Sequence, residues 1–121
     1  MAVKLDEVRK FALALPDATE EPHHHFSSFR VRGKIFVTIP PGGELLHIFP
    51  PTEQLELALA ENPEFLEPVH WGSKVLGVRA NLPLARKAIV LGLVRQAYAF
   101  KSERSPPRPA LPSARKRKGA R

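Results

Sequence analysis

The chain of 121 residues has no cysteine and only one tryptophan, one tyrosine and one methionine. Without a thiol there is no disulfide framework, no thiolate zinc site and no cysteine nucleophile, which fits a reducing, cytoplasmic setting. Long apolar runs are also missing. The longest, AIVLGLV over residues 88–94, falls far short of the ~20 residues that span a bilayer. The start, MAVKLDEVRKFALALPD, is charged and broken by Pro16, unlike the apolar core of a signal peptide. No membrane partner is therefore expected. Glycine-rich phosphate loops, an HExxH pair and a nucleophile elbow are absent as well. The sequence gives no reason to expect a cofactor or an enzymatic activity.

What the chain does have is positive charge, and its placement matters more than its sum. Of the net +7, residues 1–100 contribute nothing, with eleven basic against eleven acidic side chains. Residues 101–121 hold eight Lys/Arg against Glu103 and so carry the whole excess. This last segment contains four prolines and almost no large apolar residues. It cannot offset the entropy of ordering and is expected to be a disordered basic tail behind one domain over residues 1–100. Arg115, Lys116, Arg117 and Lys118 form its densest part. Polyanions attract such a cluster by releasing counterions; neutralising ~4–5 phosphates gives a log K against log salt slope of about −4.

Periodicity predicts the elements of the domain. LDEVRKFALAL places Leu5, Val8, Ala12 and Leu15 on one helical face with Phe11 beside them, and Pro16 stops it. In FRVRGKIFVTI, Phe29 and Val31 alternate with Arg30 and Arg32, and Gly33 marks a tight turn. Ile35, Val37 and Ile39 then alternate with Phe36 and Thr38, and ELLHIF follows the PPGG turn as a third strand. PTEQLELALAEN reads as a helix with Leu55 and Leu59 inward, EFLEPVHWGS as a loop or irregular edge, and KVLGVRA as a strand. The final helix is expected over PLARKAIVLGLVRQAYAF, with Pro83 in its first turn and Gly92 packed closely on a neighbour. The predicted order is α-β-β-β-α-β-α. The predicted class is α+β, a two-layer sandwich of an antiparallel sheet with helices on one face.

Three groups of side chains could carry function. His23, His24 and His25 follow two glutamates, and on a strand the first and third would converge. The ligand set around them is too incomplete for a zinc centre, so they are read as entering a basic hairpin. In that hairpin Arg30, Arg32 and Lys34 are expected along one solvated face. Lys74 and Arg79 flank the later strand, and together the five would form a phosphate-contacting stripe. His70 and Trp71 form the third group. The alternative to nucleic-acid binding is a protein- or small-ligand-binding groove lined by Phe26, Phe29, His70 and Trp71.

The order of ALPDATE, FRVRGKIF, the His70–Trp71 pair and the closing helix with Tyr98 resembles the YjbR/MmcQ family of small bacterial proteins, from about Leu5 to Phe100. The chain departs from that pattern around the three histidines and at Val69 and Gly72. The resemblance implies a sandwich similar to the frataxin/CyaY-like fold and a double-wing DNA-binding role. Combined with the basic tail, it leads to the expectation of a monomeric or homodimeric protein that binds DNA without sequence preference.

Overall fold

A computed structural model describes residues 3–103. Over them the chain runs α1 (Leu5–Leu13), β1 (Ala18–His23), β2 (Phe26–Val31), β3 (Lys34–Ile39), β4 (Leu45–Ile48), α2 (Thr52–Glu61), β5 (Leu66–Trp71), β6 (Lys74–Asn81), a short 3-10 turn (Leu82–Leu84) and α3 (Lys87–Ser102). The strands form one six-stranded antiparallel sheet in the order β1-β2-β3-β4-β6-β5. The α+β class stands, but the element order differs from that expected by two strands, β1 and β5. These are the two edges of the sheet, and each carries a Glu-Pro pair, Glu21–Pro22 and Glu67–Pro68. Proline lacks a ladder donor and is tolerated at an edge, where one side of the strand is unpaired; charge there also discourages further pairing.

The three helices lie in one layer. Glu7 of α1 caps its own helix by accepting from the Lys4 backbone N–H at 2.9 Å, and it pairs with Lys87 of α3 at 2.9 Å. Arg9 of α1 donates to Glu20 of β1 at 2.9 and 3.1 Å, and the Ser27 hydroxyl donates to the same carboxylate at 2.7 Å. These bonds, Arg9 foremost, hold the Glu20 carboxyl below its ordinary range. Helices α2 and α3 line opposite sides of a shallow groove of about 180 Å³.

Under this layer, one transverse row of the sheet supplies the core: Phe29, Val37, Ile48 and Val78 pair in register across four strands and are fully buried. Val8 and Ala12 of α1, Leu55 and Ala58 of α2, and Val90, Leu93, Val94 and Ala97 of α3 close over it. The spacing of the α3 set is that of an amphipathic stripe.

Details of strand and helix differ from the simple alternation. Phe29 pairs with Val37 but Arg30 with Ile35, so Phe36 is an extra, unpaired residue. This bulge turns Phe36 inward beside Val37, against the Tyr98 ring at 5.6 Å, and sends Ile35 to the other face with Arg30. A second bulge leaves Leu76 unpaired between β5 and β6. Pro83 sits in the 3-10 turn ahead of α3 rather than in its first turn, leaving Leu84 63% exposed. Gly92 was expected in a tight helix contact; a Cβ placed there meets no atom within 4 Å. Gly77 is the close approach: a Cβ there would lie 2.4 Å from the Ile48 carbonyl oxygen and 2.7 Å from the Phe49 ring.

Candidate functional site

The face of the sheet away from the helices carries a polar row that spans every strand. Glu21, Ser28, Thr38, His47, Arg79 and Glu67 pair in succession from one edge to the other. Each stands one residue from the apolar core row, so the two-residue period of a strand places this set on the opposite face. Arg79 Nε donates to His47 Nε2 at 3.1 Å and its Nη1 lies 3.5 Å from Glu67. The bond requires Nε2 of His47 to be unprotonated. Burial, and then the positive charge of Arg79, hold the His47 pKa below its usual value, with Glu67 opposing. Phe26 stacks obliquely on His47 at 5.9 Å. At the other end of the row, Arg30 lies over Ser28, donating to its hydroxyl at 3.0 Å, and approaches Glu21 at 3.8 Å. Both arginines of this face are thus flattened along the sheet and matched by an edge carboxylate. Ser28 and Thr38 are buried beneath their neighbours.

A different arrangement occupies one end of the sheet. Strands β3 and β6 both run antiparallel to β4, so the turns that precede them lie at the same end. The first turn is Arg32–Gly33, both in the left-handed region at φ 54° and 79°, the pattern of a type I′ hairpin. The second is Gly72–Ser73, with only Gly72 at positive φ (61°), as in a type II′ turn. The hairpins are separated by the end of β4; three strand spacings put their midlines roughly 14 Å apart. Arg32, Lys34 and Lys74 are exposed here. The last turn of α3 lies near Lys34: Lys101 is half-buried, with its Nζ 4.9 Å from the Phe100 ring centroid, and burial and then repulsion from Lys34 lower its pKa. None of the five ion pairs among the described residues uses Arg32, Lys34, Lys74 or Lys101. Glu103 follows at once as the last described residue.

The five cations expected as a stripe therefore divide. Arg32, Lys34 and Lys74 gather at the hairpin end, while Arg30 and Arg79 lie on the open face against carboxylates. The Phe36 bulge is the reason Arg30 and Lys34 part: Lys34 pairs with the buried Val31 and faces the helix layer. Arg115, Lys116, Arg117 and Lys118 lie outside the described residues. The groove residues do not meet. Phe29 is buried in the core, and Phe26 sits beside His47 on β2. His70 and Trp71 are exposed on β5, with β3, β4 and β6 between. The histidine triplet closes β1 with His23 and makes the β1–β2 turn with His24 and His25, His24 at φ 58°. The rings that approach are those of His23 and His24, at 4.8 Å, rather than His23 and His25. Among the described residues no three His, Asp or Glu side chains gather as metal ligands. No helix there is long and apolar enough to cross a membrane.

The place of His47 on the open face and of Lys101 at the hairpin end does not follow from the sequence reading, in which His47 is only a distant complement to the histidine triplet. His47 alternates with the buried Leu46 and Ile48, which would have placed it on the open face. Lys101 directly follows Phe100, where the expected helix ends and the expected tail begins; α3 continues to Ser102.

No curated protein matches the chain. A family model does match residues 13–100, from the last residue of α1 through the four-strand meander, both hairpins and most of α3, and by that match the chain belongs to the YjbR family.

Proposed function

We propose that this protein is a non-enzymatic nucleic-acid-binding protein of the cytoplasm, a monomer or homodimer that contacts DNA phosphates without sequence preference. The observation that carries the reading is the convergence of two hairpin turns and the α3 terminus at one end of the sheet. Four cations there, Arg32, Lys34, Lys74 and Lys101, have no carboxylate partner among the described ion pairs. Phosphates gain most from cations that are not already matched. The roughly 14 Å between hairpin midlines is comparable with the ~12 Å width of the major groove, so two tips could rest on the phosphates that flank it. The basic segment over 104–121, outside the described residues, would add affinity through its charge by releasing counterions. In this reading Arg30 and Arg79 are structural, since binding through them would first have to break their pairing with Glu21 and Glu67. The sheet with a single helix layer is also compatible with a frataxin/CyaY-like arrangement.

The test is binding of a labelled short duplex, by fluorescence anisotropy across a salt series, to the full chain and to a chain ending at Glu103. Weaker but salt-dependent binding by the shorter chain supports a contribution of the hairpin end. Binding confined to the full chain makes the terminal segment the sole binder. Absence of binding by both removes the reading.

A further inference from the structure

The β5–β6 hairpin presents the molecule's single tryptophan to solvent. Trp71 is 75% exposed, the highest value among the large apolar side chains described, and Val75 and Leu76 of the same hairpin are also exposed. Burying a side chain of this size ordinarily contributes a few kcal/mol, so leaving it out is a forfeited stabilisation that packing does not explain. The hairpin holds it out by construction. Gly72 follows at φ 61° with open space around it, and Lys74 is the direct cross-strand partner of Trp71. The Leu76 bulge bends the strand just below.

We infer that Trp71 is a stacking platform for an unpaired nucleic-acid base, with Lys74 taking the adjoining phosphate. This rests on the proposed nucleic-acid binding and adds to it a preference for single-stranded or locally opened substrate. The choice of occupant follows from charge. Residues 68–78 contain Lys74 and no carboxylate, and Arg32, Lys34 and Lys101 lie at the same end without ion-pair partners among the described residues. A planar ring standing beside one cation, with further cations set off along the same end, matches a strand whose bases and phosphates are to be held separately. A lipid surface would instead favour a broad apolar face ringed by cations at a single tip.

Because Trp71 is the only tryptophan, its emission reports the site directly. The full chain is titrated with oligothymidylate and with a duplex of equal length, following both tryptophan emission and anisotropy of the labelled nucleic acid. The same titrations are run on Trp71→Ala and Trp71→Phe. The inference expects quenching by oligothymidylate. It expects Trp71→Ala to weaken oligothymidylate binding by about 5- to 150-fold, the range for losing one base stack. Duplex binding should stay nearly unchanged, which also shows the variant is folded, and Trp71→Phe should restore much of the loss. Oligothymidylate binding with unmoved emission and an unaffected Trp71→Ala variant overturns the stacking role while leaving the phosphate-binding reading in place. Failure of both nucleic acids to bind overturns both. A blue shift on anionic phosphatidylserine vesicles with no response to oligothymidylate overturns it in favour of a membrane surface.

Discussion

Two glycines make opposite demands on the packing and should respond oppositely to the same methyl group. Gly92 lies within α3, exposed in the groove between α2 and α3, and an added Cβ meets nothing within 4 Å. Replacing it by alanine removes the helix penalty of glycine and the extra freedom of the unfolded chain, a gain of about 0.5–1 kcal/mol. For a domain of this size that is a rise in Tm of roughly 3–6 °C. At Gly77 the Cβ would lie 2.4 Å from the Ile48 carbonyl oxygen and 2.7 Å from a Phe49 ring carbon. The ring can turn; the backbone oxygen of β4 cannot move without parting β4 from β6. Overpacking of this kind costs about 1–3 kcal/mol or more. Urea unfolding followed by circular dichroism, with both midpoint and slope recorded, measures each variant. A destabilised Gly92→Ala would mean that α3 is packed at that point after all. A neutral Gly77→Ala would mean that Phe49 does not cover β6 and that the floor between the two hairpins is misplaced.

Two further variants test the electrostatics. Glu20 is held by Arg9 and Ser27, and its pKa lies below the ordinary 4.5. Its stabilisation is therefore complete above that value and is lost as pH falls through the folded pKa. Glu20→Gln should cost about 1–3 kcal/mol at neutral pH and flatten the acid limb of the stability profile, read from urea midpoints between neutral pH and the acid limb. His47, also shifted below its ordinary 6.5, is stabilising as the neutral ring. Above that value protonation does not affect folding; below it the unfolded chain takes up a proton first, and stability falls until the folded pKa is passed. His47→Gln keeps an acceptor for Arg79 and should remove that loss, so wild type and variant should diverge only on the acid side.

The helices and the inner strands were legible because each buries one face at its own period. Val8 with Ala12, Leu55, and the Phe29–Val31 alternation show this directly. The edge strands were legible only in part: EFLEPVHWGS reads as a loop or irregular edge, and ATEEPH gives no strand signal. ATEEPH and LEPVHW pair along one side only, so their composition is set by solvent and by the need to block further pairing, and such segments look like loops. The bulges were equally hidden. One extra residue at Phe36 moves an aromatic ring into the core and separates Arg30 from Lys34, yet no residue type announces it. The candidate site inherits both effects. Local pattern identified Arg32, Lys34 and Lys74, but their convergence is a property of strand order, which brings the starts of β3 and β6 to one end. Arg30 and Arg79 looked equivalent to them until the edge strands supplied Glu21 and Glu67 as partners. The close approach at Gly77 could not be separated from the open space at Gly92 without the chain that lies opposite.

The most direct test of the account is the salt dependence of duplex binding by the full chain and by the triple variant Arg32→Gln, Lys34→Gln, Lys74→Gln. These side chains are exposed and outside the described ion pairs, so the fold should be unaffected. If the hairpin end meets phosphates, the slope of log K against log salt should become shallower by about 2.7, close to 0.9 for each cation lost. An unchanged slope with unchanged affinity would contradict the account and leave the hairpin end with no part in binding.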